Sequence, residues 1–385
     1  MRIVDIRERS VAISRYADPA IPAGGLTTSI VALTTDVMRD GRPVVGYGFA
    51  SIGRFAQSGL IRERFAPRLL EAGDAIAGDD GRNLDPLRGW AAMMRGEKPG
   101  GHGERCVAVG TLDMALWDAA AKIAEKPLYR YLADRIDRAP LQDVPVYAGG
   151  GYPYPGDDVA LLSNEIRRLR DLGFTRVKIK IGAAPLAQDL RRMDAASRLL
   201  QADHLAVDAM NSYDAAGALA AARALAPHKL WWFEDICDPL DFDTLAAVAA
   251  AYDGKIAAGE ALFSAEEARL LDRHGGLRRE RDILLFDPVH CYGIPGYLRI
   301  VESLTASGWK RSAFWPHGGH LFCLHLVSAL GLGGAEVNPL CFAPFGGLAD
   351  ATMPVGDRAA PPQDPGIGFE GKADLHALFE TLLNA

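Results

Sequence analysis

Six ionisable residues recur at a nearly constant interval along this chain. Lys180, Asp208, Glu234, Glu260, Asp287 and His317 follow one another at steps of 28, 26, 26, 27 and 30 residues, and each closes a short apolar run. Asp208, Glu234 and Glu260 are consecutive members of the series, so on neighbouring strands they would face a common point. Three anions held together repel unless a cation neutralises them. An all-carboxylate donor set suits a hard ion, Mg2+ in the first instance with Mn2+ as a substitute. Structural salt bridges to arginine or lysine are the alternative for the same three residues.

The flanking members could move protons. In Arg176-Val-Lys178-Ile-Lys180 the cations alternate with apolar residues, so on a strand both lysines share one face. If the strand belongs to a parallel barrel, helices cover its outer face and the lysines point inward. Two adjacent ammonium groups beside a divalent cation are expected to lower each other's pKa and make a lysine usable as a base. His317, in Trp315-Pro-His-Gly-Gly-His320, keeps the step after Asp287. An aspartate accepting a hydrogen bond from one imidazole nitrogen fixes the tautomer and raises basicity. His320 and His325 lie off the step and are read as structural.

A step of this size is the length of one strand–loop–helix–loop unit, since eight of them fill roughly 250 residues of a (β/α)8 barrel. The runs Thr175 to Ile181, Leu205 to Asp208, Leu230 to Glu234, Ile256 to Glu260, Ile283 to Asp287 and Ser312 to Pro316 are the expected strands, with alanine-rich crossover helices between them. Polar residues at strand ends then converge on the face where barrels build their sites. Upstream, Ser29 to Thr34 and Arg42 to Phe49 read as strands, and Asp113 to Lys122 as a helix with Met114, Trp117 and Ala121 on one stripe. That portion is α+β.

The bulk properties exclude several classes. The 385 residues are 49% hydrophobic and 24% charged, ordinary for a globular chain of more than one core. A formal net charge of −7 offers no basic footprint for nucleic acid or an anionic membrane. The five cysteines, Cys106, Cys237, Cys291, Cys323 and Cys341, include no Cys-x-x-Cys pair, which fits reduced thiols in a cytoplasm. The charged N-terminus lacks a secretory apolar block, and no run is long enough to span a bilayer.

Several short motifs occur in one order: Glu97-Lys-Pro-Gly-Gly-His-Gly-Glu-Arg105, Ala115-Leu-Trp-Asp118, Lys178-Ile-Lys180, Val207-Asp-Ala209, Trp232-Phe-Glu-Asp235, Ala258-Gly-Glu260, Phe286-Asp287 and Pro316-His-Gly-Gly-His320. Together they resemble the mandelate racemase-like branch of the enolase superfamily, and within it the tartrate dehydratases, over nearly the whole chain. The resemblance implies an α/β fold, a modified TIM barrel of (β/α)7β form with an α+β capping domain. Its expected parts are residues 1–140 as the N-terminal cap, 141–340 as the barrel and 341–385 as a C-terminal segment completing the cap. It further implies Asp208, Glu234 and Glu260 as Mg2+ ligands, Lys180 as the base, Lys178 as its electrostatic neighbour and His317 with Asp287 as the opposite acid–base dyad. That a Lys or His base works beside Mg2+ is established for enolase-superfamily sites in general. Lys98 and Glu336 would contact the substrate, a small hydroxy-carboxylate, and a homo-oligomer is expected. This chain departs from the family in placing Met210 where Asn is usual, with Asn211 next, and in an apolar cap loop, Gly48-Phe-Ala-Ser-Ile-Gly53.

The expected reaction is removal of the proton next to a carboxylate by Lys180, giving a metal-stabilised enediolate, with His317 protonating the departing β-hydroxyl. The product would be a 2-keto acid, oxaloacetate if the substrate is tartrate. A racemase or epimerase using the same two groups, and a metal-binding scaffold without turnover, are the alternatives. Gly366-Ile-Gly-Phe-Glu-Gly371-Lys372 mimics a nucleotide loop, but Ala373 replaces the required Ser/Thr and too little chain follows for a βαβ unit. It reads as a C-terminal turn.

Overall fold

A computed structural model describes residues 1–384. Its first layer is an antiparallel sheet of β1 (Ile3–Ala12), β2 (Thr27–Arg39) and β3 (Arg42–Phe49), in that order. Asp40 and Gly41, with φ of 50° and 78°, make the tight turn between β2 and β3. The helix Glu104–Ile123 lies against this sheet. It differs from the one-striped helix expected over Asp113 to Lys122: it starts nine residues earlier, and every residue from Cys106 to Ala121 is buried. The helices Pro86–Met94 and Gly293–Ala306 pack on it as well, so no side is left to water. Close approach needs glycine. A Cβ at Gly46 would stand 2.0 Å from the Ala115 carbonyl oxygen, and one at Gly110 would stand 1.9 Å from that of Val289, in the loop that follows Asp287. One helix thus spaces the cap sheet and the barrel loop.

The second layer is a curled parallel sheet. Its strands are β4 (Val144–Gly149), β5 (Val177–Lys180), β6 (Leu205–Asp208), β7 (Phe233–Glu234), β8 (Ile256–Ala258), β9 (Ile283–Leu284) and β10 (Ala335–Val337), in the order β10-β4-β5-β6-β7-β8-β9. A short β11 (Arg358–Ala359) pairs antiparallel with β4. The expected strand at Ser312 to Pro316 is not formed: Arg311–Ala313 is a 3-10 turn and Phe314 makes a single parallel bridge to Leu284. Pro316 has no N–H to extend a ladder. Trp315 N–H donates to Leu284 O (2.8 Å), His317 N–H to Leu285 O (3.1 Å) and Gly333 N–H to Phe314 O (3.0 Å), so this irregular segment closes the ring. Helices follow every stave except β10, from Asp158–Asp171 after β4 to Leu321–Leu330 after the irregular one. This is the (β/α)7β arrangement.

Inside the barrel, Tyr147, Ala206, Trp232, Ala257, Ile283, Leu285 and Trp315 form one apolar layer. The Trp232 and Trp315 rings lie 5.0 and 6.0 Å from Tyr147, and Trp231 caps the group. Strand alternation places Gly149, Asp208 and Glu234, two residues further on, in the layer above.

The C-terminal run returns to the first layer. The helix Ala373–Leu383 packs on β1 and β2, with Phe379 stacked 4.7 Å from Tyr47. The nucleotide-loop mimic is a buried turn: Ile367 N–H donates to Asp118 Oδ1, and Lys372 Nζ is bound to the carbonyls of Gly346 and Leu348. Among the described residues, no helix is long and apolar enough to cross a membrane.

His325 ties this run to the barrel. Its Nδ1 accepts from Tyr129 N–H (3.1 Å), leaving Nε2–H to donate to Ile367 O (2.9 Å). Both bonds need a neutral ring, and burial depresses its pKa to about 4. The unfolded chain therefore binds the extra proton first, and this contribution to stability is present above pH ~6.5 and is lost as pH falls through about 4. From those two values the loss is at most about 3 kcal/mol. In denaturant unfolding, His325→Gln should be less stable than the parent at pH 7 and show a flatter decline between pH 6.5 and 4. A parallel decline would exclude His325 as a source of the acid sensitivity.

Candidate metal and proton-transfer site

The barrel register brings the stepped residues into one row. Lys180 on β5 pairs with Asp208 on β6, and Asp208 with Glu234 on β7. Glu260 and Asp287 stand beyond the ends of β8 and β9, on loops, because those strands are shorter than the apolar runs suggested. The carboxylates of Asp208, Glu234 and Glu260 nevertheless offer oxygens that all lie within 4.8 Å of one another. Asp208 and Glu234 are fully buried, while the Glu260 side chain is 24% exposed. Trp232 Nε1–H donates to Glu234 Oε2 (2.7 Å), and Met210 N–H to Asp208 Oδ1 (2.7 Å). Glu260 Oε2 is buried with no hydrogen-bond partner.

The departure at Met210 has a local explanation. Met210 and Asn211 both take left-handed backbone, φ 50° and 56°, turning the chain back so that the Met210 amide reaches Asp208. Asn211 then bonds Asp235, through its backbone N–H to Asp235 O (2.6 Å) and its side chain to Oδ2 (3.2 Å). Burial, then Glu260 and Asp208, push the Asp235 carboxyl well above the usual range, making it a fourth acidic group at this point.

Both lysines point into the barrel, as strand alternation requires. Lys178 Nζ contacts Glu234 Oε1 (2.5 Å), Glu336 Oε1 (3.1 Å) and Asp208 Oδ2 (3.6 Å), while Lys180 is paired with Asp208. The protein's own groups, without a divalent cation, act on the lysine pKa in the opposite sense to the lowering expected beside one. Burial and Lys178 do favour the neutral Lys180 amine, but Asp208, Tyr152 and Glu260 outweigh them and hold its pKa above the ordinary value. Lys178 is raised for the same reason, by Glu234 and Glu336 against its burial. The carboxylates respond unequally. Burial works against ionising both, yet Lys180 and Lys178 hold Asp208 well below its usual range, whereas Glu234 is raised to about 8.

On the far side of the triad, His317 Nδ1 is 2.9 Å from Asp287 Oδ2 and its Nε2 is 3.5 Å from Glu260 Oε2. Burial favours the neutral ring, but Glu260, the Asp287 hydrogen bond and Glu336 raise the His317 pKa to about 9. Asp287 is fixed by Val289 N–H (2.7 Å) and His290 N–H (3.3 Å) at Oδ1. Ser51 Oγ–H donates to its Oδ2 (2.7 Å) and lies 3.0 Å from His320 Nε2. Ser51 belongs to the cap loop and is held in left-handed backbone at φ 59°, a strain that persists only where surroundings impose it. A Cβ on Gly53 would stand 3.8 Å from His317 Cε1. The loop read as merely apolar therefore brings a hydroxyl to the dyad, and no periodic signal marks Ser51.

The two other expected residues separate. Glu336 on β10 joins the cluster through Lys178 and accepts from Gly318 N–H (3.2 Å). Lys98 is exposed and lines a different cavity of about 350 Å³, with Arg105, Phe263, Tyr292 and Arg299. Tyr147, Tyr152, Asp235 and His290 lie at the site without having been anticipated: Asp235 and His290 follow closely on stepped residues, and the two tyrosines meet Lys178 and Lys180 only in space.

Comparison with known proteins agrees with this geometry. The enolase C-terminal domain-like family matches residues 161–375, more than half of the chain. The chain belongs to the enolase superfamily. Within it, the chain is 29% identical to the L-talarate/galactarate dehydratase of Salmonella typhimurium, over 83% of this chain and 77% of that one. The L-talarate dehydratase structure from Polaromonas sp. JS666, complexed with Mg and L-glucarate, superposes with a TM-score of 0.73 at 25% identity, covering 95% and 94% of the two chains. A racemase from Streptomyces coelicolor with bound magnesium shares the fold, with a TM-score of 0.76 at 24% identity over 97% and 99%.

Gly149 tests how tightly this superfamily member packs its site. A Cβ there would lie 2.3 Å from Asn338 Oδ1 and 2.4 Å from Glu336 Oε1, the oxygen that pairs with Lys178. Gly149→Ala should displace Glu336 and lower stability by about 1–3 kcal/mol in denaturant unfolding. An unchanged midpoint would mean that Glu336 is free to move away from Lys178.

Proposed function

We propose that this chain is a Mg2+-dependent dehydratase of a small acid sugar and, within that class, converts tartrate to oxaloacetate and water. The observation that carries the reading is the placement of two proton-transfer groups on opposite sides of one carboxylate triad: Lys180 against Asp208, and His317 against Glu260. The named dehydratases among its relatives support the same class.

The donor set fits a hard divalent ion. Asp208, Glu234 and Glu260 would hold it, and Glu260 Oε2, buried without a hydrogen bond and facing only His317 Nε2 at 3.5 Å, supplies an oxygen free to ligate. When bound, the ion would neutralise the carboxylates that keep Lys180 protonated and would draw charge from the substrate carboxylate. Lys178, anchored by Glu336, orients that carboxylate. Lys180 takes the proton from the adjacent carbon, and the electron pair delocalises into the carboxylate. His317, protonated up to about pH 9 and held by Asp287, gives its proton to the β-hydroxyl, which leaves as water. The enol so formed tautomerises to the 2-keto acid. The aromatic floor beneath Glu234 keeps bulk water away from the lysines. The five cysteines, all buried and unbridged, support a reducing, cytoplasmic setting.

A library of mono- and diacid sugars incubated with Mg2+ and assayed for 2-keto acids tests the class and the substrate together. Oxaloacetate from tartrate is the expected result. Keto acid from another acid sugar alone would retain the class and remove tartrate. In deuterated water, an epimer labelled at the carbon next to the carboxylate without keto acid would replace dehydration by epimerisation.

Lys180→Ala and His317→Asn should each lower turnover by roughly 10²–10⁴-fold in folded protein. Normal turnover in either variant would remove that residue from the mechanism. Glu260→Gln should raise the Mg2+ needed for half-activation at least about tenfold, since a charge at about 4 Å is worth about 4 kcal/mol at an effective dielectric of about 20. An unaltered Mg2+ requirement would exclude Glu260 as a ligand.

A further inference from the structure

His290 has no assigned task in this reaction, yet it is 2% exposed and neither ring nitrogen has a hydrogen-bond partner. Burying a polar group without a partner is costly, and this imidazole buries two such atoms. Its ring lies 5.6 Å from that of His317, centroid to centroid, and its Nε2 is 3.7 Å from Asp287 Oδ2. The other approach is blocked by Phe263, whose ring is 6.0 Å away with Arg54 over its face. Nε2 is therefore directed at the dyad, and Nδ1 is buried without a partner of its own.

Asp287, His290 and His317 each offer a ligand atom, all within 4.8 Å of one another. Two imidazoles and one carboxylate differ in kind from the all-oxygen triad next to them. Nitrogen-rich sets favour borderline transition ions over Mg2+. Ligand atoms around tetrahedral zinc stand roughly 3.3 Å apart, from bond lengths of about 2.0–2.2 Å. The separations of 2.9 Å from Asp287 Oδ2 to His317 Nδ1 and 3.7 Å to His290 Nε2 bracket that spacing.

We propose that Asp287, His290 and His317 form a second metal site, selective for Zn2+ and Co2+ over Mg2+, and that filling it switches the enzyme off by engaging His317. The ion would take the place of the proton that Asp287 and His317 share. The binding half of the proposal stands on the cluster alone. The inhibitory half rests on the role given to His317 above.

The test begins with binding to the full-length protein, independent of turnover. With Mg2+ held at millimolar concentration, Zn2+ is titrated calorimetrically, and Co2+ is followed by its visible absorption. One additional ion per chain should bind, with the intense visible bands of four-coordinate cobalt. His290→Gln and His290→Phe should each weaken that event at least tenfold, with folding verified by circular dichroism. Glu234→Gln should leave it in place. Binding that persists in both His290 variants, or that disappears in Glu234→Gln or on raising Mg2+, would place the ion in the carboxylate triad and overturn the proposal. Turnover supplies the second arm: Zn2+ should inhibit the parent in a manner that added Mg2+ does not relieve, and His290→Gln should need at least tenfold more Zn2+ for half-inhibition. Zinc bound at His290 without inhibition would overturn the switch and, separately, challenge the assignment of His317.

Discussion

The structure depends on how like charges are held at one end of a barrel. Asp208, Glu234, Glu260, Asp235, Asp287 and Glu336 converge on a volume bounded by two lysines and three histidines. None of these groups could be buried singly at acceptable cost. They are stable as a set because runs of like charge are paired with cations: Lys178 with Glu336 and Glu234, Lys180 with Asp208, and His317 with Asp287. Six carboxylates face two lysines and the imidazolium of His317 there, with Asp208 held low by Lys180 and Lys178 and Glu234 raised chiefly by its burial. An excess of negative charge is the condition under which a divalent cation is drawn in.

Much of this was legible from spacing, for a definite reason. The repeat of 26 to 30 residues is set by the length of a strand, a helix and two loops, so a residue type repeated at that interval must appear at equivalent places around the ring. The inward direction of Lys178 and Lys180 followed from alternation and from helices covering the outer face. The irregular stave at Phe314 was not legible, because Trp315-Pro316 looks like the end of a strand until the missing N–H is counted. Nor was the burial on every side of Cys106 to Ala121 in the helix Glu104–Ile123, whose alanines suit an exposed face as well as a crowded one. The hold of Asp208 on Lys180 was not legible, because Asp208 is 28 residues away in sequence yet directly paired in space, where it outweighs the repulsion of the neighbouring Lys178.

Ser51 and His290 show where a reading by spacing ends. Both touch or approach Asp287, one from the cap loop and one from the turn after β9. Neither belongs to a repeat, and each is an ordinary residue in an ordinary stretch of sequence. Asp287 gathers them because its two oxygens must be satisfied from whichever elements the long buried helix sets beside it. Gly110 against Val289 and Gly48 against Thr111 bring the β9 loop and the start of the cap loop onto adjacent faces of that one helix.

The stacked rings of Tyr147, Trp231, Trp232 and Trp315 carry a consequence for traffic. A barrel plugged by aromatics has a single doorway. Acid, metal ion, product and the water released by elimination would all pass beneath the cap loop that carries Ser51. That loop would then set the pace at which the product departs.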